Sequence, residues 1–215
     1  MYEYTDKIIR TLAKRYIQLY ENAEGSILGM DELNVLRYSK GLYSELDAIT
    51  RKYFIKLARQ SYRDGIEILM ELGLVPVKEE SGISSRWVNK ILTAYDPVTK
   101  YVYSHEVLRK QERFAESVIA AVDKELEIKT ALRLWNNMAR QYAVTVTDEA
   151  VKRAFADNGV EKVIWITEPD EKVCGVCSDM DGAIYDIDKI PPKPHWNCRC
   201  RIMPYISFFK GGLDL

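Results

Sequence analysis

Five side chains near the end of this 215-residue chain have the types and spacing of a zinc site. Cys174 and Cys177 form a CxxC pair, and His195 and Cys198 repeat the two-residue gap as HxxC. Zinc takes four soft or borderline donors at the corners of a tetrahedron, and such a gap lets one turn aim two side chains at the same ion. The pattern therefore predicts one structural zinc ion, with five candidate ligands: Cys174, Cys177, His195, Cys198 and Cys200.

These five donors compete for four coordination positions. Cys174, Cys177 and His195 are the three firmest candidates. Cys198 keeps the short gap after His195, whereas Cys200 lies on the same face as Cys198 if this stretch is extended, because side chains alternate along a strand. The fourth ligand is thus Cys198 or Cys200, and a four-cysteine site without His195 is a further variant.

Two other uses of the cysteines compete with zinc. Two disulfides would suit an oxidising environment, but a disulfide scaffold spreads its cysteines through a small domain, and here none precedes Cys174. A redox-active CGVC dithiol would open a helix in a βαβ unit. We expect this CxxC pair to lie between turn-rich, strand-like segments instead, which disfavours that use.

Catalytic chemistry has little support in the sequence. A catalytic zinc keeps an open position beside a general base, yet the chain has two histidines, His105 and His195, and no HExxH motif. The deaminase pattern of HxE with a later PCxxC is also missing. A group of acidic residues is interpreted as turn residues and not as a second cation site: Asp179, Asp181, Asp186 and Asp188. We therefore expect no enzyme.

The segment before the cysteines has the apolar periodicity of long helices. The first predicted helix carries Tyr4, Ile8, Leu12, Tyr16 and Tyr20, and glycines at 25 and 29 interrupt it. The second runs from about residue 31 to 72, with a break allowed at glycine 41, and a short third helix is capped by serine 84 or 85. A fourth helix covers the region of residues 108–122.

The next stretch is predicted as two helices. Residues 126–145 are helical by pattern, but the run of β-branched residues at 144–147 weakens a helix because such side chains lose rotamer freedom there. A separate last helix is expected to start at Thr147 or Asp148 and to end at Asn158-Gly159.

The sequence changes character after Gly159. Three stretches are predicted as strands: residues 160–167, 182–185 and 201–206. The predicted fold is mainly α: an elongated helical part at residues 1–158, expected to serve as a docking region, followed by a small β-rich zinc-bearing module at residues 159–215. Together they make an α+β chain.

Charge and hydropathy exclude some partners. The formal net charge is −1 and the pI is about 6.2, so no overall basic field draws the chain to nucleic acid, although Lys52, Lys56, Arg59 and Arg63 could form a local patch. No stretch approaches the roughly 18 apolar residues of a membrane span. No apolar signal core follows the N-terminus, so the cytosol of the cell that makes the protein is its expected location.

The zinc-ligand region resembles a known family. The order of residues 170–177, then Gly182, then Pro191-Pro192 and His195, and finally residues 197–200 (Asn-Cys-Arg-Cys) is similar to the phage Mu F-like, or head morphogenesis, family. The family pattern is D-x-x-x-C-x-x-C, G, P-P-x-x-H-x-N-C-R-C, and the likeness covers about residues 145–206. Trp196 departs from it, because the family often has proline there.

The resemblance implies a minor capsid protein of the phage virion that acts in head assembly near the portal. Its implied location is inside the head, after assembly in the host cytoplasm. The implied partners are the portal protein and other head components, with room for self-association and no membrane. The alternative is a zinc-stabilised protein that binds packaged or ejected DNA, for which nucleic-acid binding is a weak expectation.

Overall fold

The computed structural model describes residues 3–78, 82–121, 124–168, 173–196 and 198–206. Within them the chain forms helices and short strands in the order α1 (Glu3–Ile27), α2 (Glu32–Glu71), α3 (Ser85–Leu92), β1 (Tyr95–Asp96), β2 (Tyr101–Val102), α4 (Tyr103–Ala120), α5 (Lys124–Asp157), β3 (Lys162–Ile166), α6 (Gly175–Met180), β4 (Ile184–Asp186) and β5 (Arg201–Pro204). The prediction of a mainly helical chain with a small β-rich C-terminal part is confirmed, and the structure shows that this part is an antiparallel sheet.

The first two helices continue through glycines at which the sequence allowed a break. Helix α1 passes through Gly25 and ends at Ile27, and α2 passes through Gly41 without a break. An interior glycine costs a helix about 1 kcal/mol, which the burial of a long apolar stripe offsets. Gly29, with φ of 82°, ends the first helix, and the Asp31 side chain caps α2 by accepting the Asn34 N–H at 2.8 Å.

The prediction of two helices between residues 126 and 158 is wrong, because α5 is one helix from Lys124 to Asp157. The β-branched residues lie inside it, and Val146 and Thr147 are fully buried. The Thr147 hydroxyl also shares a hydrogen bond of 2.9 Å with the hydroxyl of Thr5 on α1. A propensity penalty of a few tenths of a kcal/mol per residue is smaller than the gain from this packing.

Helices α1, α2, α4 and α5 form a bundle around an aromatic centre. Tyr43 of α2 packs edge-on against Trp135 of α5 with ring centroids 5.4 Å apart, and Tyr62 further along α2 contacts Asp157 at the end of α5. These contacts show that α2 and α5 run in the same direction. Helix α1 runs against both, because Tyr16 contacts Trp135 and Thr5 contacts Thr147.

The sheet packs on the end of this bundle. Its strand order is β4-β3-β5, antiparallel throughout, with Val163 opposite Tyr185 and Trp165 opposite Ile202. Val163 and Trp165 are buried in the same apolar cluster as the helices. One core therefore continues across residue 159, and the division into two domains at that point stays a prediction. Among the described helices, none combines the length and apolarity needed to cross a membrane.

Asp157 joins the C-terminal end of α5 to the segment that follows α2. Its carboxylate accepts a hydrogen bond from the Tyr62 hydroxyl at 3.1 Å and pairs with Lys78 at 2.8 Å. Burial opposes ionisation, but the hydrogen bonds from Lys78 and Tyr62 prevail and lower the pKa of Asp157 below its ordinary value.

We expect Asp157→Asn to lower the free energy of unfolding by roughly 1 kcal/mol at pH 7. A pKa that is lower in the folded state stabilises the fold above the unfolded pKa, and this stabilisation disappears as the pH falls through the folded pKa. The gap between wild type and variant should therefore close towards pH 2 in urea unfolding curves. Asp6→Asn, which removes an exposed pair with Arg140, is the control with little change expected. If the two proteins differed equally in free energy of unfolding at pH 7 and at pH 2, the lowered pKa of Asp157 would be refuted.

Candidate metal centre

The CxxC pair is positioned by the first turn of α6. Cys174 is the N-terminal cap of this helix, and its Sγ accepts the backbone N–H of Cys177 at 3.4 Å. Hydrogen bonds from this turn lower the pKa of the Cys174 thiol. The expected turn-rich setting is therefore incorrect: a short helix starts at the pair because a capping side chain satisfies its free N–H groups.

This helix does not create a thioredoxin-like setting. Such a site has its CxxC pair within a βαβ unit of parallel strands. Here the strands on either side of α6, β3 and β4, pair directly with each other in antiparallel fashion. The four cysteines are free thiols in this arrangement.

The second group of donors comes from the segment that leads into β5. Cys198 and Cys200 are both buried, and Arg199 between them is exposed, so the predicted alternation of side chains is confirmed. Strand β5 begins at the next residue, Arg201, which pairs with Ile166 of β3. The family-like residues 170–172 and Asn197 lie outside the described residues.

The fold brings all five predicted donors together around Cys177. Its Sγ lies 3.3 Å from Nε2 of His195 and 3.6 Å from Sγ of Cys198. Two sets of donor atoms each lie within 4.8 Å of one another, and both contain Cys177: one adds Cys174 and His195, and the other adds Cys198 and Cys200. Ligands on tetrahedral zinc are roughly 3.3–3.8 Å apart, as follows from bonds of about 2.0–2.3 Å. We call these five residues the cysteine–histidine cluster.

His195 is oriented for binding through Nε2. Its other ring nitrogen, Nδ1, lies 2.9 Å from the backbone carbonyl of Trp196, to which an N–H at that position would donate. A metal-binding histidine commonly donates its second ring N–H in this way, which fixes the tautomer and the ring orientation. Trp196, the residue that departs from the family pattern, thus supplies the carbonyl through its backbone, which any residue at this position could do.

The protonation state of the thiols depends on whether a metal ion lies between them. Burial raises the pKa of Cys177 well above its ordinary value and also raises the pKa of Cys198, and neighbouring thiols act in the same direction. A divalent cation reverses this, because a thiol that coordinates it is deprotonated. The cluster therefore suits a thiophilic metal ion, and zinc agrees with its sulfur and imidazole donors.

Lys193 connects this cluster to α5, a role that no motif in the sequence indicated. Its Nζ donates to the backbone carbonyls of Cys198, at 3.2 Å, and of Cys200, and it pairs with Asp148 of α5 at 3.2 Å. The side chain is only 11% exposed. A cation held here offsets negative charge on thiolates and fixes the ligand loop against the helix. This role requires the loop to fold back on α5, which spacing in the sequence does not reveal.

We expect Lys193→Met to weaken zinc binding by about 10–100-fold, the usual effect of removing a group that orients metal ligands. Competition with a chromophoric chelator measures this affinity directly. Lys189→Met is the matched control, because Lys189 pairs with Asp186 on the surface and is 72% exposed. Equal zinc affinities for wild type and Lys193→Met would contradict the role assigned to Lys193.

Other residues singled out in the sequence lie apart from the cluster. His105 is exposed in the first turn of α4. Asp181 accepts the backbone N–H of Thr167 at 2.8 Å, and Asp186 pairs with Lys189, as turn residues do. On α2, Arg59 donates to the backbone carbonyl of Ile83, so part of the predicted basic patch is engaged within the fold.

Comparison with known proteins gives one family match. Residues 109–203 match the model of the family described as phage Mu protein F like protein, which confirms the resemblance seen in the sequence. The matched segment starts in α4, includes α5 and the whole cysteine–histidine cluster, and ends in β5. No curated protein and no solved structure matches the chain.

Proposed function

Because residues 109–203 match the model of the phage Mu protein F like family, we propose that this protein is a minor capsid protein that acts in phage head assembly near the portal. In this proposal it is a virion component inside the head, it is assembled in the host cytoplasm, and it is not an enzyme. Its partners are the portal protein and other head components.

We further propose that one zinc ion is its structural cofactor. The observation that carries this proposal is the convergence of five donors on Cys177, with His195 Nε2 and Cys198 Sγ at 3.3 and 3.6 Å. Bound zinc would join α6 to the segment before β5. Four of the five donors fill a tetrahedral shell, which leaves no open position for substrate and favours a structural role.

The helical part is the proposed docking region for other head components. Large apolar side chains are exposed at the turn between α1 and α2, where Leu28 is 70% and Leu33 is 64% exposed. Val75 and Val77, after α2, are 89% and 85% exposed. Exposed apolar residues grouped in this way are typical of protein–protein contacts.

The test is the recovery of this protein with heads made by the phage that encodes it. Wild-type protein should sediment with portal-containing heads, whereas Cys177→Ser should be depleted from them because its C-terminal segment loses the zinc-dependent fold. Ser178→Ala, an exposed neighbour on α6, is the control that should behave as wild type. Absence of the wild-type protein from purified heads would overturn the proposed function.

A further inference from the structure

A cavity of about 160 Å³ lies between α4 and α5, in the helical part of the chain. Its α4 wall carries three cationic residues, Arg109, Lys110 and Arg113, and α5 contributes Thr130. Thr130 precedes Asp148, the α5 residue beside the cysteine–histidine cluster, by roughly 27 Å along the helix axis at about 1.5 Å per residue. The cavity is therefore separate from the candidate metal centre.

Lys110 is the unusual member of this cavity. It is half-buried, and among the described residues no side chain forms a hydrogen bond or an ion pair with its ammonium group. Burial lowers the pKa of Lys110, and Arg109 and Arg113 lower it further, while Glu106 acts in the opposite direction. A partly desolvated cation beside two other cations is unfavourable unless an anion joins them.

Nearby carboxylates neutralise the positive charge of this cavity only in part. Arg109 is fixed in place, because it pairs with Glu106 at 2.7 Å and lies over the ring of Tyr101 at 4.8 Å. Glu127 is the acidic residue of the cavity wall. Among the described residues that line the cavity, three cations thus accompany one carboxylate, while Glu106, outside the lining, is already bound to Arg109.

Three residues that carry hydroxyl groups also line the cavity. Ser117 and Thr130 line the cavity, and so does Tyr43, which is 1% exposed. The Tyr43 hydroxyl accepts a hydrogen bond from Tyr20 at 3.3 Å, which leaves its own hydrogen to donate. Burial raises the pKa of Tyr43 to about 12, so this hydrogen is retained at neutral pH.

We propose that this cavity is a binding site for a phosphate-type oxyanion, held by Lys110 and Arg113 with Arg109 beside them. An ammonium group, guanidinium groups and hydroxyl groups on two helices suit a tetrahedral anion that accepts hydrogen bonds from several sides. The anion is either free phosphate, including that of a nucleotide, or a phosphodiester of nucleic acid. This site is independent of the proposed head-assembly function and of the zinc ion.

The test is a calorimetric titration of the full-length, zinc-loaded protein with inorganic phosphate. We expect saturable binding of one phosphate per chain, and a loss of at least 10-fold in affinity in Lys110→Met and in Arg113→Gln. Lys90→Met, an exposed lysine on α3, is the control that should bind as wild type. Absence of saturable phosphate and oligonucleotide binding, or equal binding by all variants, would overturn the proposal.

Thermal unfolding separates this role from a purely structural one. Without phosphate, Lys110→Met should unfold at the same temperature as wild type or higher, because it removes a poorly solvated cation. Phosphate should raise the unfolding temperature of wild type and leave that of Lys110→Met unchanged. If Lys110→Met is instead destabilised and phosphate shifts both proteins equally, Lys110 has only a structural role and the proposal fails.

A short duplex oligonucleotide identifies the source of the anion. Binding of the duplex that inorganic phosphate displaces, and that Lys110→Met weakens, would assign the site to a nucleic-acid phosphodiester. Binding of phosphate without the duplex would assign it to a small free anion. Either result supports an oxyanion site, and only the first would also favour a nucleic-acid-binding role for the protein.

Discussion

Replacing Cys177 by serine is expected to abolish tight zinc binding and to make the segment from β3 to β5 sensitive to protease. Cys177 belongs to both sets of donors in the cysteine–histidine cluster, so we expect it to be one of the four ligands. Zinc binding contributes about 10 kcal/mol or more to the folding of small zinc peptides, and removal of a shared ligand forfeits most of that. Zinc affinity by chelator competition and limited proteolysis with and without zinc measure the two effects.

The same measurements on the other four donors identify the ligand set. Among Cys174→Ser, His195→Ala, Cys198→Ser and Cys200→Ser, three variants should lose zinc affinity strongly and one should retain most of it. The variant that retains affinity marks the fifth, non-ligating residue. Full zinc affinity in Cys177→Ser would contradict the arrangement described here.

Adding one methyl group at Gly65 is expected to destabilise the helical bundle. Gly65 lies where α2 crosses α5, and a Cβ there would be 2.7 Å from Cβ of Ala154, with the Val151 backbone carbonyl oxygen at 3.5 Å. Overpacking of this kind costs about 1–3 kcal/mol, so Gly65→Ala should lower the free energy of unfolding in urea despite the better helix propensity of alanine.

Gly41→Ala is the matched control for this prediction. Gly41 lies in the same helix, and a Cβ there would have no heavy atom within 4 Å, so alanine should stabilise the protein by about 0.5–1 kcal/mol. Adding Ala154→Gly to Gly65→Ala should recover part of the lost stability by making room at the crossing. A stabilising effect of Gly65→Ala by itself would show that α2 and α5 do not approach this closely.

The sequence predicted the structural features that depend on residues close together in the chain. Apolar periodicity located the stripe of α1 that is buried at Ile8, Leu12 and Tyr16, and it placed the start of the second helix within a residue of where α2 begins. The spacing of the cysteines and His195 identified all the donors that the fold brings together. These features were accessible because capping, periodicity and ligand spacing are set by residues close in the chain.

Features that depend on distant parts of the chain were not accessible. The β-branched run at 144–147 suggested a helix break, but its burial against α1 keeps α5 continuous. The choice among five donors depends on how α6 and the segment before β5 approach each other. Lys193 contacts the Cys198 carbonyl and Asp148 because its loop packs against α5. Sequence spacing does not show which loop packs against which helix, so these contacts could not be predicted.

Zinc content is the most direct test of this account. Mass spectrometry of the metal in purified full-length protein should be combined with a thiol count on the same sample, taken after denaturation with a chelator. We predict one zinc ion per chain and four free thiols, together with the loss of protease resistance of the C-terminal segment when the zinc is removed. Protein that contains no metal and no free thiols would contradict the zinc site and would assign the cysteines to disulfides.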